Sequence, residues 1–325
     1  MRRRQFIQIV GAAAASLLPR PGRAQPAAKL PKVGVLLYST PEGDPSNEAF
    51  RRGMNDLGYV DGQNIVFEYR FADGKPERLP DLAAELVRLK PDLIFAPGGD
   101  VAPAACKATQ TIPIVFAVST DPVQSGLVAS LARPGGNATG VTFLLDELAA
   151  KRLVLLKEAA PRLSRVAVLF NPDHIDNELR EVERAAAAIN VKLHLAEVRR
   201  AGDFEVAFEA ALQAAVDGLY VVSSRQTIAH IARITEFATT NRLPLAGGWG
   251  AWAQAGGLIS YGPNVGDMVR QSTAHVHKIL KGANPAELPV QQPTRFELLI
   301  NLKTAKALGL AIPESFLLRA DSVIE

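Results

Sequence analysis

The sequence predicts an α/β protein built as two doubly wound, parallel-sheet lobes joined by a hinge. Three observations predict it. From Lys32 onward, short β-branched runs alternate with longer amphipathic ones, the pattern of βαβ units around a parallel sheet. Five strand-like runs end near Phe143 and a second series opens at Val166. Residues 146–159 between them read as one bridging helix, so the two series form separate lobes. With 325 residues, 48% of them hydrophobic, the chain can fill a core in each lobe.

The first residues hold Arg2, Arg3 and Arg4, an apolar stretch from Ile7 to Leu18, and Gly22-Arg23-Ala24 with small residues at the spacing a signal peptidase accepts. Residues 1–24 therefore read as a secretory signal cut near Ala24. Arg3-Arg4-Gln5-Phe6-Ile7 resembles the twin-arginine export signature, and the modest hydrophobicity of the Ala-rich core fits that route, with a general secretory signal as the alternative. The cut has no nearby cysteine to carry a lipid anchor, and no apolar run approaches the roughly 18 residues of a membrane span. A soluble periplasmic protein is expected.

The 36 Lys+Arg and 33 Asp+Glu give a net charge of +3. Setting aside the five arginines of residues 1–24 leaves 31 bases against 33 acids, a balance of −2 that argues against nucleic acid as a partner. A single cysteine rules out a disulfide scaffold and any multi-thiolate metal site.

Strands of the first lobe are expected at residues 33–37, 65–71, 93–96, 114–117 and 140–143. Those of the second are expected at 166–170, 192–197, 218–222, 245–246 and 258–261. Leu79, Leu82, Ala83, Leu86 and Leu89 fall at helical spacing in residues 76–90, and Leu179, Val182, Ala186 and Ile189 do so in 177–189, so each run reads as a crossover helix. A helix over 266–280 is expected to return to the first lobe. The chain then crosses the hinge near 142–145, 261–264 and 291–295, dividing into residues 30–142 plus 263–290 and residues 143–262 plus 291–325.

In open α/β sheets ligands sit outside the carboxyl ends of the strands, so the candidate binding residues are those that follow each strand. Ser39, in Leu37-Tyr38-Ser39-Thr40, can bond a polar ligand group or simply cap the next helix. Pro97-Gly98-Gly99-Asp100 precedes a helical run, where two glycines let the backbone approach a ligand and a helix N-terminus suits a carboxylate. Asp121 before Pro122 reads first as a cap and second as a carboxylate facing a ligand amine or closing the jaw. In the second lobe Asn171, Ser223 and Trp249 end strands. Trp249 in its glycine-flanked loop is either a ligand-stacking wall or a packing residue, and Trp252 is core or hinge surface. Arg225 can pair a carboxylate bidentately or cap a solvated helix start.

Catalytic and cofactor motifs are missing. No GxSxG elbow, HExxH or P-loop occurs, and the glycine-rich run Arg133 to Gly140 lacks GxGxxG spacing and precedes a strand. His275 and His277, two apart on a helix, face different ways and cannot readily share a metal. Cys106 lies in a small-residue helix as a free thiol. No catalytic residue, cofactor or metal is predicted, and the chain reads as a binder.

Several long motifs carry a resemblance. They are Thr111-Ile112-Pro113-Ile114-Val115-Phe116-Ala117, Asp121-Pro122-Val123-Gln124-Ser125-Gly126-Leu127-Val128, and Leu131-Ala132-Arg133-Pro134-Gly135-Gly136-Asn137-Ala138-Thr139-Gly140. Gly256-Gly257-Leu258-Ile259-Ser260-Tyr261-Gly262 and the tail Phe296-Glu297-Leu298-Leu299-Ile300-Asn301-Leu302-Lys303 add to them. Together they resemble the ABC-transporter substrate-binding proteins of the tryptophan/tyrosine type, called TrpX-like. The resemblance implies a type I periplasmic-binding-protein fold, capture of a small, possibly aromatic amino-acid-like solute between the lobes, and delivery to an ABC permease with a cytoplasmic ATPase. It also implies a monomer, whereas the absence of a membrane anchor is expected from the lack of a cysteine near the cut, unlike the lipoprotein members of the family. By position it places Ser39, Gly98, Gly99, Asp100, Asp121 and Thr142 of the first lobe, and Asn171, Ser223 and Trp249 of the second, against the ligand, with Tyr38 or Trp249 stacking on a ring. The alternatives are a sensor module using the same clamshell to signal to a membrane partner, and a periplasmic α/β enzyme. Trp249→Ala is expected to weaken binding at least about tenfold with little change in unfolding temperature.

Overall fold

Strands β1 (Lys32–Leu37), β2 (Val66–Phe71), β3 (Leu93–Pro97), β4 (Ile114–Val118) and β5 (Ala138–Thr142) form one parallel sheet in the order β2-β1-β3-β4-β5. The buried apolar runs of β1, β3 and β4 are nearly continuous because helices cover both faces of the sheet. Val33, Val35, Leu93 and Phe95 face one core, where Phe50, Met54 and Met268 pack, while Leu36, Ile94 and Ala96 face another with Leu82, Leu86 and Ala102. Strand alternation thus delivers successive residues to opposite layers. The computed structural model describes residues 30–41, 45–143, 145–174 and 177–325, so the expected export signal and its cut at Ala24 lie outside the described residues, as does Leu144 of the expected hinge.

The second sheet contains β6 (Arg165–Phe170), β7 (Lys192–Glu197), β8 (Gly218–Val221), β9 (Leu245–Gly247), β10 (Ile259–Gly262), β11 (Glu297–Asn301) and β12 (Ser322–Ile324), ordered β12-β11-β10-β9-β8-β6-β7. All its pairs are parallel except β10 with β11. Neither β11 nor β12 was among the expected strands. In Glu297-Leu298-Leu299-Ile300-Asn301 the successive Leu298, Leu299 and Ile300 are all buried, so both faces of the strand are covered and its apolar residues run on without the alternation of a half-exposed strand. β12 has three residues, too few for a pattern.

The path between the sheets brings the strand ends together. β5 leads into the helix Leu145–Ala159, which packs on Glu178–Ala188 and against β9 and β10. β10 leads into Val265–Leu280, which packs on β3, β4, β5 and the helix Pro45–Asp56 of the first sheet. Before β11, Gln291 runs beside β5: its N–H donates to Gly140 O at 2.9 Å and its carbonyl accepts from Thr142 N at 2.9 Å. Each sheet with its helices is called a lobe below. Among the described residues, no helix is long and apolar enough to cross a membrane.

Candidate functional site

Local folding at the end of β8 aims two side chains at the opposite lobe. Ser224 is the N-cap of the short helix Arg225–Ala229, its hydroxyl accepting from Thr227 N while the Thr227 hydroxyl accepts from Ser224 N. This reciprocal pair satisfies two N–H groups that a helix start leaves unpaired. Arg225 and Gln226 therefore occupy the first helical positions, and both are buried.

The guanidinium of Arg225 donates from Nη2 to Pro97 O and to Ser46 Oγ of the first lobe, each at 3.1 Å. The Tyr38 hydroxyl lies 3.2 Å from Gln226 Oε1 and 3.1 Å from Gly74 O. Burial pushes the Tyr38 phenol up to about 12, with Asp100 and Glu77 adding to the rise and Arg225 opposing it. The hydroxyl thus keeps its proton for these bonds. Asn177 Nδ2 donates to Gln124 Oε1 at 2.9 Å, a further bond between lobes. The lobes are closed on one another.

Close approach explains the glycine pair after β3. Gly98 has φ +120, and a Cβ there would lie 2.8 Å from Arg225 Nε, while one on Gly99 would lie 2.6 Å from His174 Cε1. Side chains at either position would hold the lobes apart. Besides facing the cleft, the two glycines let residues of the second lobe seat against the first.

Between the lobes lies a cavity of about 220 Å³. Gly98, Gly99, Ala117 and Ser119 line it from the first lobe, and Arg225, Ile228 and Trp249 from the second, with Phe143, Asn264 and Glu297 at the crossing segments. Trp249 is only 6% exposed and meets Phe143 edge-on, ring centres 6.5 Å apart at 86°. Its indole Nε1 has no hydrogen-bond partner. An indole N–H is a donor only, so this cavity lacks one acceptor. Because Trp249 belongs to the core that includes Phe143, Trp249→Ala would cost stability as well as affinity, against the expectation of an unchanged unfolding temperature.

Ser119 Oγ stands 3.3 Å from His174 Nε2, and His174 Nδ1 stands 3.8 Å from Asp100 Oδ1. The order serine, histidine, aspartate is that of an acyl-transfer triad, but 3.8 Å is an ion-pair separation and not the hydrogen bond by which a triad carboxylate orients its imidazole. The contact instead joins the end of β4 to the loop after β6.

On the other side of Ser119 is a cavity of about 520 Å³ whose lining includes Thr120, Asp121, Thr142, Asp146, Glu181 and Gln292. Asp146 Oδ2 accepts from Asn177 N at 3.0 Å, whereas Oδ1 is buried without a partner. Burial pushes the Asp146 carboxyl up to about 6; the Asn177 hydrogen bond opposes the rise, and Glu178 and Asp121 add to it.

Under the second-lobe loops is a buried ionic network. Arg152 is fully buried and pairs with Glu178 and the Tyr220 hydroxyl, and its Nε donates to Tyr261 O at 3.0 Å. Glu178 also accepts from Tyr220 OH and from Ser223 N, each at 3.0 Å. The network pins the backbone from which Ser224, Arg225 and Gln226 project.

The residues expected at the ligand divide into four groups. Gly98, Gly99 and Trp249 line the first cavity, and Asp121 and Thr142 the second. Tyr38 joins the lobes, and Asp100 faces His174. Asn171 shapes a turn by accepting from Asp173 N at 3.0 Å, and Ser223 is buried with its N–H on Glu178; neither lines either of these two cavities. Ser39 is half-buried at the end of β1. Asp121 accepts from Val123 N and Gln124 N, so it does cap the turn after β4. Trp252 is fully buried core. Sequence reasoning left out Ser119, Gln226 and His174 and treated Arg225 chiefly as a solvated helix start. All four follow a strand directly or within a few residues, which is the signal that was available for them.

Residues 32–324 match the family described as ABC transporter substrate binding protein. The chain is 27% identical over 285 residues to a tyrosine-binding protein of Clostridioides difficile (strain R20291), covering 87% of this chain and 82% of that protein. It superposes with a TM-score of 0.83 on the ABC domain in complex with L-Trp from Streptococcus pneumonia, 25% identical, covering 91% of this chain and all of that one. Against the ligand-free, open structure of a substrate binding protein with adhesive properties from Clostridium difficile, also 25% identical, the TM-score is 0.65, covering 91% of this chain and 99% of that one. The chain is thus nearer in shape to a tryptophan-bound relative than to an open one, in keeping with the bonds between its lobes.

Proposed function

The chain belongs to the ABC transporter substrate-binding protein family, and from that premise we propose that it captures a small amino-acid-like solute with an aromatic or apolar side chain in the cavity beside Trp249. The observation that carries this reading is the unpartnered indole N–H of a 6% exposed tryptophan on a cavity shared by both lobes, with the Arg225 guanidinium on the same lining. An indole donor without an acceptor calls for a ligand bearing a carboxylate or another acceptor, and Phe143, Ile228 and Leu299 supply an apolar wall. About 220 Å³ lies below the ~300–1,000 Å³ usual for drug-sized ligands, so the solute is small. The tyrosine-binding and L-Trp-bound relatives support an aromatic amino acid.

In this reading the protein is exported to the periplasm, works as a monomer without chemistry of its own, and hands its solute to a permease driven by a cytoplasmic ATPase. A ligand that bridges both lobes shifts the open–closed balance by its differential affinity for the two forms, and the closed form is the one the permease recognises. Mass spectrometry of solute released from freshly purified protein tests this, together with calorimetry using L-tryptophan and L-tyrosine. An unaltered amino acid bound one to one is expected. A chemically changed solute, or no binding of either amino acid, overturns the reading. A sensor role predicts the same binding, so only capture of the membrane partner separates it from transport.

A further inference from the structure

We propose that the second cavity is an ammonium subsite, in which Asp146 and Thr120 hold the protonated amine of an organic solute while Asp121 and Glu181 add negative charge to the lining. It is separate from the Trp249 cavity, the two lying on either side of Ser119. The three carboxylates come from three different elements: the turn after β4, the helix Leu145–Ala159 and the helix Glu178–Ala188. No Lys, Arg or His is among the described residues that line the cavity. Asp121 uses Oδ1 on Val123 N and Gln124 N, and Glu181 pairs outward with the exposed Arg184 at 3.1 Å.

Two polar atoms around this cavity are left over. Asp146 Oδ1 is a buried acceptor with no partner, and Thr120, 2% exposed and on the same lining, has a hydroxyl with no partner. Buried polar groups of this kind are seldom left unsatisfied without a role. An ammonium carries three donors and no acceptor, which matches an orphan carboxylate oxygen, a hydroxyl lone pair and the carboxylates nearby. Burial and the neighbouring acids already make the Asp146 charge costly, and a cation relieves that cost.

The test uses the mature chain with 1,4-diaminobutane as probe and 1,4-butanediol as its neutral isostere, at matched ionic strength, read by calorimetry and thermal unfolding. The diamine is expected to bind and raise the unfolding temperature, and the diol to do neither. Asp146→Asn is expected to weaken diamine binding by about tenfold or more, the loss of a charge-assisted hydrogen bond, and Thr120→Val by a smaller factor. Absence of diamine binding overturns the proposal. So does binding undiminished in Asp146→Asn, or an equal thermal shift from calcium chloride, which would report only a screened acidic surface. Titration of the same protein with 3-(4-hydroxyphenyl)propanoate, which has the ring and carboxylate of tyrosine but no amine, reports on the Trp249 cavity alone, so failure there leaves the ammonium subsite standing, and the reverse holds too.

Discussion

Arg225 of the second lobe donates to the backbone carbonyl of Pro97 of the first at 3.1 Å, across the cleft in which a solute is proposed to sit. A cation of the cavity lining thereby also holds the lobes together. In the proposed reading ligand capture and closure share this residue, so a carboxylate ligand that engages Arg225 would act on the closed state directly. The Tyr38 to Gln226 contact is a cleaner handle on closure, because neither residue lines the Trp249 cavity.

Tyr38→Phe removes the hydroxyl and leaves the buried Gln226 side chain without that partner. A net loss of about 0.5–1.5 kcal/mol from closure weakens solute binding about twofold to tenfold. Small-angle scattering on the ligand-free variant is expected to give a larger radius of gyration than the parent. An unchanged radius would show that this contact does not hold the lobes.

Two substitutions at Trp249 separate packing from recognition. Trp249→Phe keeps a ring against Phe143 but deletes the N–H and shortens the ring system, so affinity for the native solute is expected to drop about tenfold while the unfolding temperature falls by less than in Trp249→Ala. Trp249→Ala also opens the core, at a cost of about 3–5 kcal/mol, and lowers the unfolding temperature clearly. Equal affinity in Trp249→Phe and parent would remove the indole N–H from the ligand contacts.

The pH dependence of stability follows from Asp146. Its folded-state value of about 6 lies above the ordinary 3.8, so the folded chain binds this proton more tightly than the unfolded one. The associated stability is fully present below about pH 4 and is lost as pH rises through about 6. Above that range the buried carboxylate costs up to about 3 kcal/mol at 1.36 kcal/mol per pH unit. Without added amine, Asp146→Asn is expected to raise the unfolding temperature at pH 7.5 by a few degrees and to change it little at pH 4. The opposite pH trend in a calorimetric series would contradict this assignment.

Arg152→Met leaves Glu178 charged in the core, and breaking a buried pair in this way costs about 3–5 kcal/mol. Adding Glu178→Leu removes the stranded charge and is expected to restore much of the lost stability in thermal unfolding. The double variant is expected to bind its solute less well than its stability suggests, since Ser223 N loses the carboxylate that fixes the loop before Arg225. A double variant no more stable than the single one would show that the pair is not what holds this region.

Much of the fold was legible in the chain. Ten strands carry apolar runs bounded by turn residues, and the helix over 79–88 carries its leucines at a spacing that only one face of a helix explains. β11 was not legible because a strand buried on both faces loses the alternation that marks a half-exposed one. At the candidate site, strand ends indicated where to look, and Gly98, Gly99 and Trp249, read in that way, line the first cavity. The partners of those residues were not found, since Gly98 meets Arg225 and Gly99 meets His174 across more than 70 positions of sequence.

By itself, then, the sequence determined the layered α/β design, the two series of strands, the family motifs and the set of loops from which a binding site must be drawn. These depend on local periodicity and composition, which a chain carries wherever it goes. Only the tertiary structure decided that Arg225 is buried against Pro97 and Ser46, that Trp249 keeps an unpaired donor at a cavity, and that Asp146 and Asp121 share a second one. Burial and pairing depend on which side chains meet between separately wound lobes, and the spacing of residues along one strand or helix holds no record of that meeting.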